Sequence, residues 1–289
     1  MHIEVNGTRL WFDVDGPAIV PEGAVMRERP TVILLHGGPG SYDHSYFKPD
    51  FFRMTGQAQV VFLDLRGHGR SARHDPTEWN FEICADDVRA ISDALGVARP
   101  IVFGHSMGGF VAMLYAARHP SHPAALVLQS THARFDLERL VEGFRRIGGD
   151  RVAELARRDY GGDSVSEEEW AHVFASFGPK VPGPQELTRR IRNPALGARG
   201  MELFRKFDVV DQLARIECPT LVCVGELDPV TPADASREIV GALQAGIARL
   251  EVLEGAGHFP WKDVPDQYWE VLEGFVTTAA APSDPAQHV

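Results

Sequence analysis

The sequence predicts an α/β sandwich built on a doubly wound, mostly parallel sheet, with a helical cap inserted between two of its strands. Three observations predict it. Short, nearly continuous apolar runs recur at residues 32–35, 60–63, 101–103, 125–128 and 221–224, the pattern of strands covered on both faces. Helix-period segments separate several of these runs, and alternation of the two patterns gives a sheet with helices on both sides. Residues 131–207 interrupt the alternation, being charged, helix-prone and without a strand-like run.

The elements follow in chain order. Strand-like segments at 2–5 and 10–14 flank Asn6-Gly7, a dipeptide that accepts the positive φ angles of a tight hairpin turn. Residues 17–30 read as a loop. Cys84, Val88, Ile91 and Leu95 fall on one face of a helix that Asn80 caps and Gly96 ends. Residues 249–253 alternate more strongly and add a further strand. Inside the insertion, 137–147 and 166–177 are helix-like, punctuated by Gly161-Gly162 and by the stretch from Gly178-Pro179 to Gly183-Pro184. The expected organisation is a core of residues 1–130 and 208–278, a cap of residues 131–207 and a flexible tail of residues 279–289 containing Pro282 and Pro285.

Composition excludes several classes. A chain of 289 residues buries roughly three quarters of its unfolded surface and needs no disulfide or metal for stability. Cys84, Cys218 and Cys223 are too few and too scattered for a disulfide framework or a zinc site. The net charge of −11 argues against a nucleic-acid partner. Glu4, Arg9, Asp13 and Asp15 break up the first twenty residues, so no secretory leader is expected. No apolar run reaches membrane-spanning length, and a cytoplasmic location is the expectation.

The chemistry centres on Gly104-His105-Ser106-Met107-Gly108, set between an apolar strand and a helix-like segment. In that context Gly-x-Ser-x-Gly is a nucleophile elbow, a turn so sharp that the flanking glycines must lack side chains. It presents the Ser106 hydroxyl above the sheet edge with a helix N-terminus behind it. His36-Gly37-Gly38-Pro39-Gly40 follows the 32–35 run and lets backbone approach a substrate closely. Asp64-Leu65-Arg66-Gly67-His68-Gly69-Arg70-Ser71 follows the next run, and its Asp64 and Arg66 read as loop ties, pairing with each other or with neighbouring loops. His105 reads as a packed or hydrogen-bonded neighbour of the serine.

These motifs resemble the α/β-hydrolase superfamily over nearly the whole chain. In that fold the triad order is serine, acid, histidine. His258, in Gly257-His258-Phe259-Pro260 after the 249–253 strand, is the expected base; His132 is a weaker competitor. Asp228, in the loop after 221–224, is the expected acid, with Glu226 its close rival. The N–H groups of Met107 and Gly38 are the expected oxyanion donors, with Gly37 in reserve; Pro39 has no N–H. No metal site and no cofactor are expected.

His36 to Gly40 resembles the proline iminopeptidase group, whose cap carboxylates hold a substrate's free amino terminus. Glu142, Glu154, Glu167, Glu168, Glu169, Glu186 and Glu202 are the corresponding acids of this cap, and the resemblance assigns none of them. That group typically has Gly and Trp where this chain has His105 and Met107, and Asp-Gln-Arg-Gly where it has Asp64-Leu65-Arg66-Gly67. Gly-His-Ser-Met-Gly-Gly is the commoner form in small-molecule esterases, lactonases and carbon–carbon bond hydrolases. The expectation is therefore a cofactor-free serine hydrolase acting on an ester, amide or short peptide, nearest to proline iminopeptidases and broader than a dedicated peptidase. A carboxylesterase or lactonase without amine recognition is one alternative; a ligand sensor on a hydrolase fold is another. Haloalkane dehalogenase and epoxide hydrolase activities are disfavoured, because those relatives place Asp where this chain has Ser106.

Overall fold

A computed structural model describes residues 1–280. The described residues form ten strands: β1 (His2–Val5), β2 (Thr8–Asp15), β3 (Ile19–Glu22), β4 (Val25–Glu28), β5 (Thr31–Leu35), β6 (Gln59–Asp64), β7 (Ile101–His105), β8 (Ala125–Gln129), β9 (Thr220–Gly225) and β10 (Ala248–Leu253). Eight of them form one sheet in the order β1-β2-β6-β5-β7-β8-β9-β10. The β1–β2 and β2–β6 pairs are antiparallel and all the others parallel. Every residue of β5, β7, β8 and β9 is buried, as continuous apolar strands between two helical layers must be.

The helices are α1 (Lys48–Phe51), α2 (Phe81–Ala94), α3 (Met107–Arg118), α4 (Leu137–Gly161), α5 (Glu167–Ala175), α6 (Pro184–Arg189), α7 (Pro194–Phe204), α8 (Ala233–Ala242), α9 (Pro260–Asp263) and α10 (Pro265–Ala279). Asn80 caps α2 by accepting from the Ile83 N–H at 2.7 Å, and Gly96 follows the helix with φ +69°. Asn6 and Gly7 take φ 46° and 70° in the β1–β2 turn. Helices α4 to α7 all lie between β8 and β9. Helix α4 runs past the expected 137–147 stretch to Gly161 and kinks at Gly149, where φ is 75°. Among the described residues no helix is long and apolar enough to cross a membrane.

Two expectations are corrected. Residues 17–30, read as a loop, contain the β3–β4 hairpin, which forms a two-stranded sheet of its own. Most of its residues are exposed, so no apolar face marked it in the sequence. Helix α10 extends to Ala279, the first residue of the expected tail; residues 281–289 of that tail lie outside the described residues.

Arg66 and Asp64 tie different loops. The Arg66 guanidinium is buried and donates twice to Asp87 of α2, at 2.8 and 2.7 Å, and once to the Asn6 carbonyl at 2.8 Å. Burial holds the Asp87 carboxyl above its ordinary value despite the Arg66 partner, which indicates a costly desolvation. Removing one partner leaves the other charge buried and alone. Arg66→Met should therefore lower stability by about 3–5 kcal/mol in urea unfolding, and adding Asp87→Leu should recover most of that loss. A single variant as stable as the parent would contradict this account.

Candidate active site

Strand β7 turns into helix α3 through Ser106 alone. Its φ of 54° and ψ of −121° lie where a residue with a side chain is strained by about 1–3 kcal/mol. Neighbouring backbone holds it there: the Ser106 N–H donates to the Gln129 carbonyl at 2.9 Å, and the Thr131 hydroxyl donates to the Ser106 carbonyl at 2.8 Å. A Cβ on Gly104 would collide with the Gly108 carbonyl, one on Gly108 with the Leu35 carbonyl, and one on Gly109 with the Thr131 side chain. The glycines thus let α3 approach both β7 and β5.

Asp228 lies in the loop after β9 and His258 in the loop after β10. The buried His258 Nδ1–H donates to Asp228 Oδ2 at 2.8 Å. The same oxygen accepts from the Thr231 hydroxyl at 2.7 Å, and Oδ1 accepts from the N–H groups of Val230 and Thr231 at 2.9 and 3.0 Å. Burial alone would raise the Asp228 carboxyl, but His258 and the Thr231 donors together bring it below its ordinary value. Glu226 is exposed and accepts from the Gly255 N–H at 3.2 Å, while His258 Nδ1 is taken by Asp228. His132 is packed on Phe110 at 4.7 Å, and its Nε2 finds no partner. Ser106 and His258 line one cavity, whereas the Ser106 hydroxyl makes no hydrogen bond within the described protein.

The loop after β5 is organised by neutral histidines. His105 faces the His258 carbonyl with Nε2 at 3.0 Å, and a carbonyl only accepts, so Nε2 carries the proton. Nδ1 therefore accepts from the Tyr46 hydroxyl at 2.9 Å, whose oxygen accepts from the Gly37 N–H at 2.9 Å. That chain occupies Gly37. The N–H groups of Gly38 and Met107 are taken by no group of the described protein, and both residues line the cavity. His36 Nε2 accepts from the Leu65 N–H at 3.2 Å, and His68 Nε2 accepts from the Gly40 N–H at 2.9 Å.

The cavity has a volume of about 760 Å³. Residues from α4, α5 and α7 form much of its wall, and these segments also grip the loops beneath. The His258 N–H donates to the Phe177 carbonyl at 2.6 Å, and the Asn193 N–H donates to the Gly40 carbonyl at 2.8 Å. Of the seven cap glutamates only Glu167 lines the cavity. Glu142 pairs with Arg145, Glu169 with Arg158, Glu186 with Lys262, and Glu202 with Arg199 and Lys206; Glu154 and Glu168 stand exposed outside it. Asp159 and Asp163, which the sequence did not single out, line it as well. Burial raises the Asp159 carboxyl, with Arg205 opposing.

Asp43, His44 and Asp64 gather their ligand atoms within 4.8 Å, a cluster the sequence spacing did not reveal. Their donors are committed to the fold. Asp64 accepts from the His44 backbone N–H at 2.9 Å, from His44 Nδ1–H at 2.7 Å and from the Arg70 N–H at 2.9 Å. Asp43 accepts from the Ser45 and Ile191 N–H groups at 2.9 and 2.7 Å. This is a loop tie, and the donor set does not fit a metal.

Burial pushes His36, His68, His105 and His132 below the ordinary histidine value, to about 3 for His68 and His132. In the unfolded chain each binds a proton near pH 6.5. Their folded values are lower, so the stability they contribute is complete above that pH and is lost as pH falls. Each such group contributes at most about 1.4 kcal/mol per pH unit below that range. The urea midpoint should accordingly drop steeply between pH 7 and pH 5. The depressed carboxyls of Asp64 and Asp228 add their loss only below about pH 4. A midpoint that is flat from pH 7 to pH 5 would contradict the neutral-histidine assignment.

Comparison with known proteins places this site in context. A family model described as alpha/beta hydrolase fold matches residues 30–263. Proline iminopeptidase PfmaB of Pestalotiopsis fici is 27% identical over 270 residues, covering 89% of this chain and 92% of that protein. Bifunctional esterase/perhydrolase DCH of Acinetobacter calcoaceticus is 31% identical over 237 residues, covering 77% of this chain and 83% of that protein. The crystal structure of proline iminopeptidase from Mycobacterium smegmatis shares the fold, with a TM-score of 0.75 at 21% identity over 98% of this chain and 99% of that one. With a match that spans most of its length, the chain belongs to the alpha/beta hydrolase fold family.

Proposed function

We propose that the protein is a cofactor-free serine hydrolase that cleaves an ester or amide bond of a small substrate through an acyl-enzyme. One observation carries the reading: a buried Asp228–His258 pair with every carboxylate oxygen satisfied stands on the cavity that the strained Ser106 also lines. Ser106 Oγ attacks the carbonyl while His258 Nε2 takes its proton and then delivers it to the leaving group. Asp228 holds Nδ1 protonated and stabilises the imidazolium. The tetrahedral oxyanion accepts from the N–H groups of Gly38 and Met107. Water, activated by the same imidazole, then releases the acyl group.

A fluorophosphonate probe should label the native protein and fail to label Ser106→Ala of intact circular dichroism. His258→Ala should lower kcat by about 10⁴-fold or more, because triad members act as one unit. Asp228→Asn should lose less than that, and far more than Glu226→Gln. Persistent labelling of Ser106→Ala, or Glu226→Gln as the more damaging acid variant, would overturn these roles.

Asp159, Asp163 and Glu167 on the cavity wall favour a second, narrower reading, in which the substrate carries a free ammonium group. PfmaB is named a proline iminopeptidase. The ratio of kcat/KM for alanine or proline arylamides to that for their N-acetyl forms separates the two readings. A ratio above about a hundred, equivalent to about 2.7 kcal/mol, marks a dedicated aminopeptidase. In that case Asp159→Asn should raise KM for the free amine and leave the acetylated substrate's KM in place. A ratio near one marks the broader hydrolase.

A further inference from the structure

The cavity that holds the proposed nucleophile also carries a guanidinium with no carboxylate in ion-pair distance among the described residues. Arg190 follows α6 and lines the cavity together with Ser106 and His258. Its guanidinium lies over the Tyr42 ring, 5.0 Å from the centroid. Its Nε is buried and finds no acceptor. Acids of neighbouring segments are committed elsewhere: Glu186, four residues before it, to Lys262, and both oxygens of Asp43 to the Ser45 and Ile191 N–H groups. Other arginines of the same region are engaged. Arg199 pairs with Glu202, and Arg205 donates to the carbonyls of Tyr160 and Asp159. Arg192, which also lines the cavity, adds a second positive charge.

A planar guanidinium with a buried, unanswered Nε–H is matched by a carboxylate, which accepts two parallel N–H bonds. Leaving a partly buried cation unpaired is costly, and an anionic ligand removes that cost. Burial pushes the Tyr42 phenol up to about 12 against the opposing Arg190 charge and hydrogen bond and the Arg192 charge, so its hydroxyl remains protonated and able to donate. Tyr42 also sets the location. A Cβ on Gly38 would stand 2.7 Å from Tyr42 Cδ2, so the ring that carries Arg190 abuts the proposed oxyanion donor.

From these observations we infer that Arg190 and Tyr42 form an anion subsite, and that preferred substrates bear a carboxylate several bonds from the scissile carbonyl. The inference rests on Ser106 as nucleophile and names a substrate class for that site. The carboxylate is separated from the oxyanion by a ring and a stacked guanidinium, which calls for a flexible spacer. Asp159, Asp163 and Glu167 line the same cavity, so like-charge repulsion steers an anion away from them and towards Arg190.

Matched esters test it. The p-nitrophenyl ester of adipic acid with its second carboxyl free is compared with the same ester capped by methyl. A second pair places the charge on the leaving group, as 4-carboxyphenyl and 4-(methoxycarbonyl)phenyl butyrate. For at least one pair, the charged-to-neutral ratio of kcat/KM should fall tenfold or more in Arg190→Met, and Arg190→Lys should restore part of it. Raising the salt concentration should shrink the ratio in the parent and leave it unchanged in Arg190→Met. Calorimetric titration of Ser106→Ala with monomethyl adipate should give binding that is lost with Arg190→Met added. Equal losses on charged and neutral esters, or binding indifferent to Arg190, would overturn the subsite. Ester cleavage that survives in Ser106→Ala would instead overturn the nucleophile, with the titration still deciding the subsite.

Discussion

The passage of β7 into α3 through a single strained residue is the constraint from which the rest of the site follows. Ser106 occupies positive φ because the Gln129 carbonyl and the Thr131 hydroxyl hold both sides of its peptide unit. That geometry is possible only while Gly104, Gly108 and Gly109 let backbone touch backbone and side chain. The Cβ-free Gly108 packs on the Leu35 carbonyl, which draws the end of β5 against the start of α3. The loop that leaves β5 therefore begins beside the helix N-terminus. Two open N–H groups, one from each segment, come to one cavity as a consequence of close packing.

Once those loops are adjacent, uncharged imidazoles hold them. His36, His68 and His105 each use one ring nitrogen as an acceptor, which protonation would abolish. His105 has the longest reach. Through Tyr46 it fixes the Gly37 peptide, and through Nε2 it fixes the carbonyl of the proposed base. Commitment of Gly37 to Tyr46 leaves Gly38 as the donor that the loop can offer. The inserted helices are bonded to the same loops, at Phe177 against His258 and at Asn193 against Gly40. The insertion is therefore one hydrogen bond from the backbone of the proposed base and of the loop after β5.

How far the sequence reveals this depends on whether a feature is local. The parallel strands were legible because complete burial demands unbroken apolar runs, as in Thr31–Leu35 and Thr220–Gly225. The helix capped by Asn80 was legible because cap, period and terminal glycine all lie within one segment. Ser106, Asp228 and His258 were legible as candidates because each follows a strand with turn residues, and the sheet topology brings those strand ends to one edge. The β3–β4 hairpin was not, since its strands bury no face. Cavity charges were illegible for a different reason. Asp159 and Asp163 reach the wall through a kink at Gly149 and a left-handed turn at Gly162, and nothing near them in sequence encodes where those bends aim.

The distribution of unsatisfied polarity separates two kinds of residue within the one cavity. Around the sheet edge nearly every polar group is answered: Asp228 accepts four bonds, Asp64 three, and Arg66 donates three. Such groups keep their geometry whether or not a ligand is bound, which is what preorganised electrostatic stabilisation requires. On the wall contributed by the insertion, Arg190 Nε has no acceptor and the Asp159 carboxyl is raised by burial, and among the described residues the two are not paired with each other. A protein that gained only stability from these charges would pair them, as it pairs Glu186 with Lys262. Keeping opposite charges apart on one wall costs stability and provides discrimination, because a ligand gains from each group only if its own charges are spaced to match. In the proposed reading, satisfied groups on the core carry the chemistry, and the unsatisfied ones facing them select among substrates.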